Sequence, residues 1–128
     1  MKKFLSLILF IFASSYMFAQ SIPEKSTANF YLTSPQEFLG DEVELSIIAA
    51  KPTSHAPENG FVCFECATAN GTESGGTILA MVPQWKGRQF FADYARPASE
   101  KSKAKSLKAR FAVYTWQDGS REYVVICD

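Results

Sequence analysis

The sequence predicts a mainly β domain of five strands, with one helix between the third and fourth and a short helical turn before the first. Three observations predict it. Val43, Leu45, Ile47 and Ala49 alternate with Glu42, Glu44 and Ser46, the period of a half-buried strand. Four further runs rich in aromatic and β-branched residues follow, separated by Gly-, Pro- and Asn-Gly-type turn signals. Only residues 85–95 beyond the first strand carry helical spacing.

Residues 1–19 stand apart from the domain. Lys2 and Lys3 precede a short apolar run from Phe4 to Ala13, Ser14 and Ser15 interrupt it, and Ala19 offers a small residue for cleavage near Ala19/Gln20. The segment resembles bacterial signal peptides, and an uncleaved anchor is the alternative, because the stretch from Phe4 to Pro23 has no charge. The resemblance implies a periplasmic or secreted protein with no membrane contact after cleavage. The whole chain has 13 basic and 13 acidic residues. Losing Lys2 and Lys3 leaves the mature chain slightly acidic, so no general nucleic-acid binding is expected.

Residues 20–29 are polar and carry Pro23, and 20–33 read as a leader to a domain at 34–128. Ser34 can cap a helical turn, Pro35 suits its first position, Glu37 can reach back to the Ser34 amide, and Gly40 can end it. The first strand then runs over 43–49. The segment KPTSHAPENG is a loop, residues 61–69 form a second strand, NGTESGG is a turn, and 77–82 are a third strand stopped by Pro83. In 85–95, Phe90, Phe91 and Tyr94 gather on one side of a helix. Residues 107–116 and 122–127 are the last two strands, joined through an Asp-Gly turn in QDGSR.

This order, with the opening EFLGDEVELSI and the exit SLKARFAVYTWQDGSREYVVI, resembles the OB-fold across residues 38–128. The resemblance implies a Greek-key barrel with its helix between strands three and four. It also implies a ligand groove near strands two and three and the loop joining strands four and five. A different small β-barrel or sandwich is the alternative.

C-F-E-C at 63–66 raises the question of redox, haem or metal chemistry. On a strand, residues three apart point to opposite faces and their Cα atoms lie about 10 Å apart. A disulfide needs roughly 4.4–6.8 Å, and a shared tetrahedral metal needs converging thiolates. Haem attachment needs His where this chain has Ala67. The flanks Phe61, Val62, Phe64 and Thr68 are those of a strand, so no chemistry is expected from the pair. Glu65 marks the outward face, placing Cys66 inward with Val62 and Phe64, and Cys63 outward with Phe61. The chain has three cysteines. An exported chain permits a disulfide, for which Cys66 and Cys127 are the preferred pair.

Lys101, Lys103, Lys105, Lys108 and Arg110 run beside Tyr114, Trp116, Arg121 and Tyr123, a composition shared by stacking surfaces and by ordinary solvated loops. His55 is the only histidine, sits in a Pro-rich loop, and has no nucleophile motif beside it. The acidic residues show no metal or paired-carboxylate spacing, and Asn70-Gly71-Thr72 is a sequon of little meaning if the source is bacterial, as the signal resemblance implies. The expectation is therefore an exported, non-catalytic, monomeric binding domain without cofactor or metal. Its ligand-facing residues would be Phe61, Cys63, Glu65, Arg110, Tyr114, Trp116 and Arg121, and its partner an extended ligand or envelope protein. The alternatives are a structural module docking on another envelope protein and, further off, a thiol–disulfide enzyme.

Overall fold

A computed structural model describes residues 25–54, 57, 60–70, 73–95 and 104–128. The signal segment, the leader through Glu24, and His55, Glu58, Gly71, Thr72, Lys101 and Lys103 lie outside the described residues. Five strands, β1 (Glu42–Pro52), β2 (Phe61–Asn70), β3 (Glu73–Pro83), β4 (Lys105–Thr115) and β5 (Arg121–Ile126), form one sheet. Its order is β1-β2-β3-β5-β4, and β4 pairs back onto β1, so the sheet closes in a ring. All neighbours are antiparallel except β3 and β5, which run parallel from Leu79↔Val124 to Met81↔Ile126.

Strand β1 closes the ring because it serves two partners in succession. Glu42 to Ile47 pair with β4, and Ile47 to Pro52 pair with β2. A register shift between Ile47 and Ala49 leaves Ile48 as an extra residue, and such a bulge bends and twists a strand. The bulge also corrects the simple alternation. Val43, Leu45 and Ile47 face the core as expected, but the next buried residue is Ala50 rather than Ala49.

Two helices close the ends of the ring. Helix α1 (Ala28–Thr33) begins within the segment read as leader, with the Thr27 side chain accepting from the Phe30 amide at 3.2 Å. Ala28 and Tyr31 are buried, and the Tyr31 hydroxyl donates to the Glu44 carbonyl at 3.1 Å. The turn expected from Ser34 is there, but only as a 3-10 turn, Pro35–Glu37, and Ser34 makes no side-chain cap. An α-helix that has just ended at Thr33 leaves Ser34 no room to start another. At the other end, a 3-10 turn (Gln84–Lys86) leads into α2 (Gly87–Tyr94). Phe90 packs on Phe64 and on Tyr94, each with ring centroids 4.7 Å apart, and Tyr94 donates to the Ser106 carbonyl at 2.8 Å.

The stretch read as a flexible turn, NGTESGG, instead places its last four residues in β3. Gly75 and Gly76 lie under the start of α1. A Cβ on Gly75 would stand 2.7 Å from Thr27 Cγ2 and 2.8 Å from Thr68 Oγ1, closer than atoms tolerate. Gly76 adopts φ +87, a conformation costly for other residues, with Asn29 directly over it. Buried Thr68 ties the three pieces together, accepting from the Ala28 amide and donating to the Gly76 carbonyl, both at 2.9 Å. The inner core of Leu45, Ile47, Phe64, Cys66, Ala80, Phe111 and Val125 fills the ring between the two helices.

Candidate ligand-binding face

A strand puts alternate side chains on opposite faces, and β2 sorts its cysteines accordingly. Val62, Phe64 and Cys66 belong to the inner core, whereas Cys63 and Phe61 belong to a second apolar cluster outside the ring. The second cluster is built across strands. Cross-strand register sets Cys63 beside Met81 and Glu65 beside Leu79, then Leu79 beside Val124 and Met81 beside Ile126, and finally Val124 beside Ala112. Cys63, Leu79, Met81 and Val124 are buried, and Phe61, Ala112, Tyr114, Trp116 and Ile126 pack around them partly exposed.

The aromatic rim is oriented by polar contacts. Tyr114 and Trp116 meet edge to face with centroids 4.7 Å apart, and Trp116 Nε1 donates to Glu122 Oε1 at 3.2 Å. Glu65 lies outward and pairs with Lys51 at 3.7 Å, and Arg110 pairs with Asp128 at 3.5 Å. Of the seven residues expected to meet a ligand, Phe61, Cys63, Tyr114 and Trp116 therefore share one cluster. Glu65 and Arg110 stand at its charged border. Arg121 does not join them. It has the parity of inward-facing Tyr123 and Val125, and is exposed at the start of β5. The charged residue that does reach the cluster is its neighbour Glu122.

The other flank of the ring's outer surface differs in character. Glu42 sits opposite Arg110, and Glu44 opposite Lys108, all four exposed. Opposite charges facing across strands make a solvated wall. Lys105 is held by Asp93 at 3.7 Å and lies 5.6 Å from the Tyr94 ring centre. The described part of the basic run is thus largely matched with acidic residues, which removes the free positive charge a polyanion would need.

Next to Phe61 and Cys63 the apolar surface continues into a cavity of about 590 Å³. It lies between Pro52 at the end of β1 with Thr53 and Pro57 beyond it, and Gln84 and Trp85 of the 3-10 turn with Gly87 and Arg88 at the start of α2. Trp85 is 80% exposed at its edge. Nothing in a polar-looking PQWKG stretch points to a cavity; the long-range approach of Pro52, Thr53 and Pro57 creates it.

Burial favours the protonated form of the thiols. All three cysteines are unpaired. Burial, and then the Glu122 carboxylate, push Cys63 up to about 11. Burial, then Cys127 and Glu65, push Cys66 up to about 12. Burial, then Asp128, raise Cys127 to about 12 against a smaller opposing effect of Lys86. Catalytic thiols need the opposite shift. Because the usual thiol value is 9.0, the folded state holds these protons more tightly than the unfolded chain. Their contribution to stability is complete below pH 9 and is lost as pH rises toward 11–12. The urea midpoint should therefore stay level from pH 7 to 8.5 and fall above 9, and native protein at pH 7.5 should resist iodoacetamide until unfolded. Rapid labelling of native Cys63 would contradict this environment.

Among the described residues no group of three His, Cys, Asp or Glu could hold a metal ion, and no helix is long and apolar enough to cross a membrane. No protein-family model and no curated protein matches the chain.

Proposed function

We propose that the chain is exported and works as a non-catalytic binding domain of OB-type plan, taking an extended ligand or envelope partner on the outward face of β2, β3 and β5. Export rests on the signal-like residues 1–19. The OB reading is supported by the strand order, the parallel β3–β5 pair, and the helix lying between β3 and β4. One observation carries the binding face: a second apolar cluster outside the ring, rimmed by Phe61, Tyr114 and Trp116, facing away from a charge-matched flank. The centre of the cluster is buried and only its rim is partly open to solvent; apolar surface bordered by polar groups is characteristic of recognition sites, and aromatic rims supply contact area at low entropic cost. The mature protein is monomeric and uses no cofactor or metal in this reading, and its raised thiols argue for binding rather than thiol–disulfide exchange.

A second reading, docking on another envelope protein, is favoured by the exposed Trp85 and Phe91 beside the start of α2 and on its outer side. Docking by strand addition is disfavoured, because a sheet closed in a ring has no free edge of the usual kind. Immobilised wild-type mature protein should retain a component of the producing cell's envelope fraction, and Trp116→Ala with Tyr114→Ala should lose it at least about tenfold, as expected for aromatic anchors. The melting curve should change little. Undiminished capture by the double variant would discard this face.

A further inference from the structure

We propose that the cavity between Thr53 and Pro57 on one side and the start of α2 on the other is a subsite for a small amphiphilic anion, a flat apolar ring system carrying one acidic group. The inference rests on the binding-face reading, since Phe61 and Cys63 belong to both the outward cluster and the cavity wall. A volume of about 590 Å³ falls in the range of small-ligand sites, which are mostly apolar with a few placed polar groups. Three features specify the chemistry. Pro52, Pro57, Phe61 and Val62 make the wall apolar, and the exposed indole of Trp85, with Lys86 Nζ 4.9 Å from its ring centre, stands at its edge. Among the described residues Arg88 is the only charged one lining it. Among the described residues no carboxylate pairs with Arg88, whereas Lys51, Lys105 and Arg110 each have one within 4 Å.

An unmatched guanidinium beside an apolar, aromatic-edged cavity selects an acid over a neutral ring of the same shape, because a charge-assisted hydrogen bond replaces the anion's water only where a cation waits. Thr53 and Gln84 add polar side chains at the wall for orientation. The occupant's apolar body would then continue along Phe61 toward the outward cluster, where an extended ligand has room to follow.

Two dyes of similar ring size separate charge from shape: anilinonaphthalene sulfonate, an anion, and phenylnaphthylamine, which is neutral. Each is titrated by fluorescence into the mature wild-type protein and into Arg88→Gln, Trp85→Ala and Trp116→Ala, all checked for an unchanged melting curve. Arg88→Gln should weaken the sulfonate about tenfold, the scale of one charge-assisted hydrogen bond, and leave the neutral dye unchanged. Trp85→Ala should weaken both. Equal effects of Arg88→Gln on the two dyes, or no effect of either cavity variant, would overturn the subsite. Trp116→Ala keeps the two proposals apart: it should spare the Arg88-dependent selectivity, while its effect on envelope capture reports on the wider face alone.

Discussion

Replacing Phe111 with alanine should cost about 3–5 kcal/mol, the range for emptying a large aromatic site in a core. Phe111 is fully buried. It stacks on Tyr123 at 5.7 Å, with planes 10° apart, and touches Tyr31 and Phe38 at centroid distances of 6.1 and 6.5 Å. Its backbone also fastens the start of β1, accepting from the Gly40 amide at 2.8 Å and donating to the Asp41 carbonyl at 2.9 Å. The side chain is thus the point where α1, the turn after it, β4 and β5 meet, and none of these can collapse into the void without losing another contact. Because domains of this size are stable by only about 5–15 kcal/mol, urea unfolding should show a large fall in midpoint, and Phe111→Leu a smaller one.

Thr68→Val should be nearly as damaging although it keeps the shape of the side chain. The hydroxyl is buried, accepting from Ala28 and donating to Gly76. Valine leaves a helix amide and a strand carbonyl without partners, each costing about 1–3 kcal/mol when buried. The melting temperature should fall by roughly 10 °C or more, given about 4–8 °C per kcal/mol for small domains. Thr68→Ser, which keeps the hydroxyl, should retain most of the stability. A valine variant as stable as the serine one would mean that α1 is not held through this residue.

What could be read in advance follows a physical boundary between local and long-range causes. The alternation in EVELSI and the splaying of Cys63 and Cys66 are local consequences of extended backbone, and the structure places both residues accordingly. The bulge at Ile48 is not local. An extra residue is stabilised by the neighbouring strand and leaves no mark in a period-two pattern, so the inward position moved to Ala50 unannounced. Gly75 and Gly76 look like turn residues until α1 is laid on them. α1 itself had a readable signal, Thr27 ahead of Ala28 and Tyr31 at helical spacing, obscured by the polar residues around Pro23.

The outward cluster was legible only in part. Aromatic residues at 61, 114 and 116 suggested a face, but its centre did not. ILAMV at 78–82 and VVI at 124–126 are apolar without alternation, the mark of strands covered on both sides. Read that way, they would have placed Leu79, Met81 and Val124 beneath the rim. Glu122 was overlooked for Arg121 because composition shows that a charge is near a loop, whereas parity along β5 decides which one reaches the face.

The claim on which the functional account depends is that recognition occurs on the apolar side of the ring and not on the charged side. Isotope-labelled mature protein, titrated with the envelope fraction of the producing cell and followed by NMR, tests it most directly. Recognition on the apolar side should shift the Trp116 indole, the Met81 methyl and the Val124 methyls and leave the amides of Glu42, Glu44 and Lys108 unmoved. Shifts confined to those charged strands, with the Trp116 and Met81 signals unchanged, would contradict it.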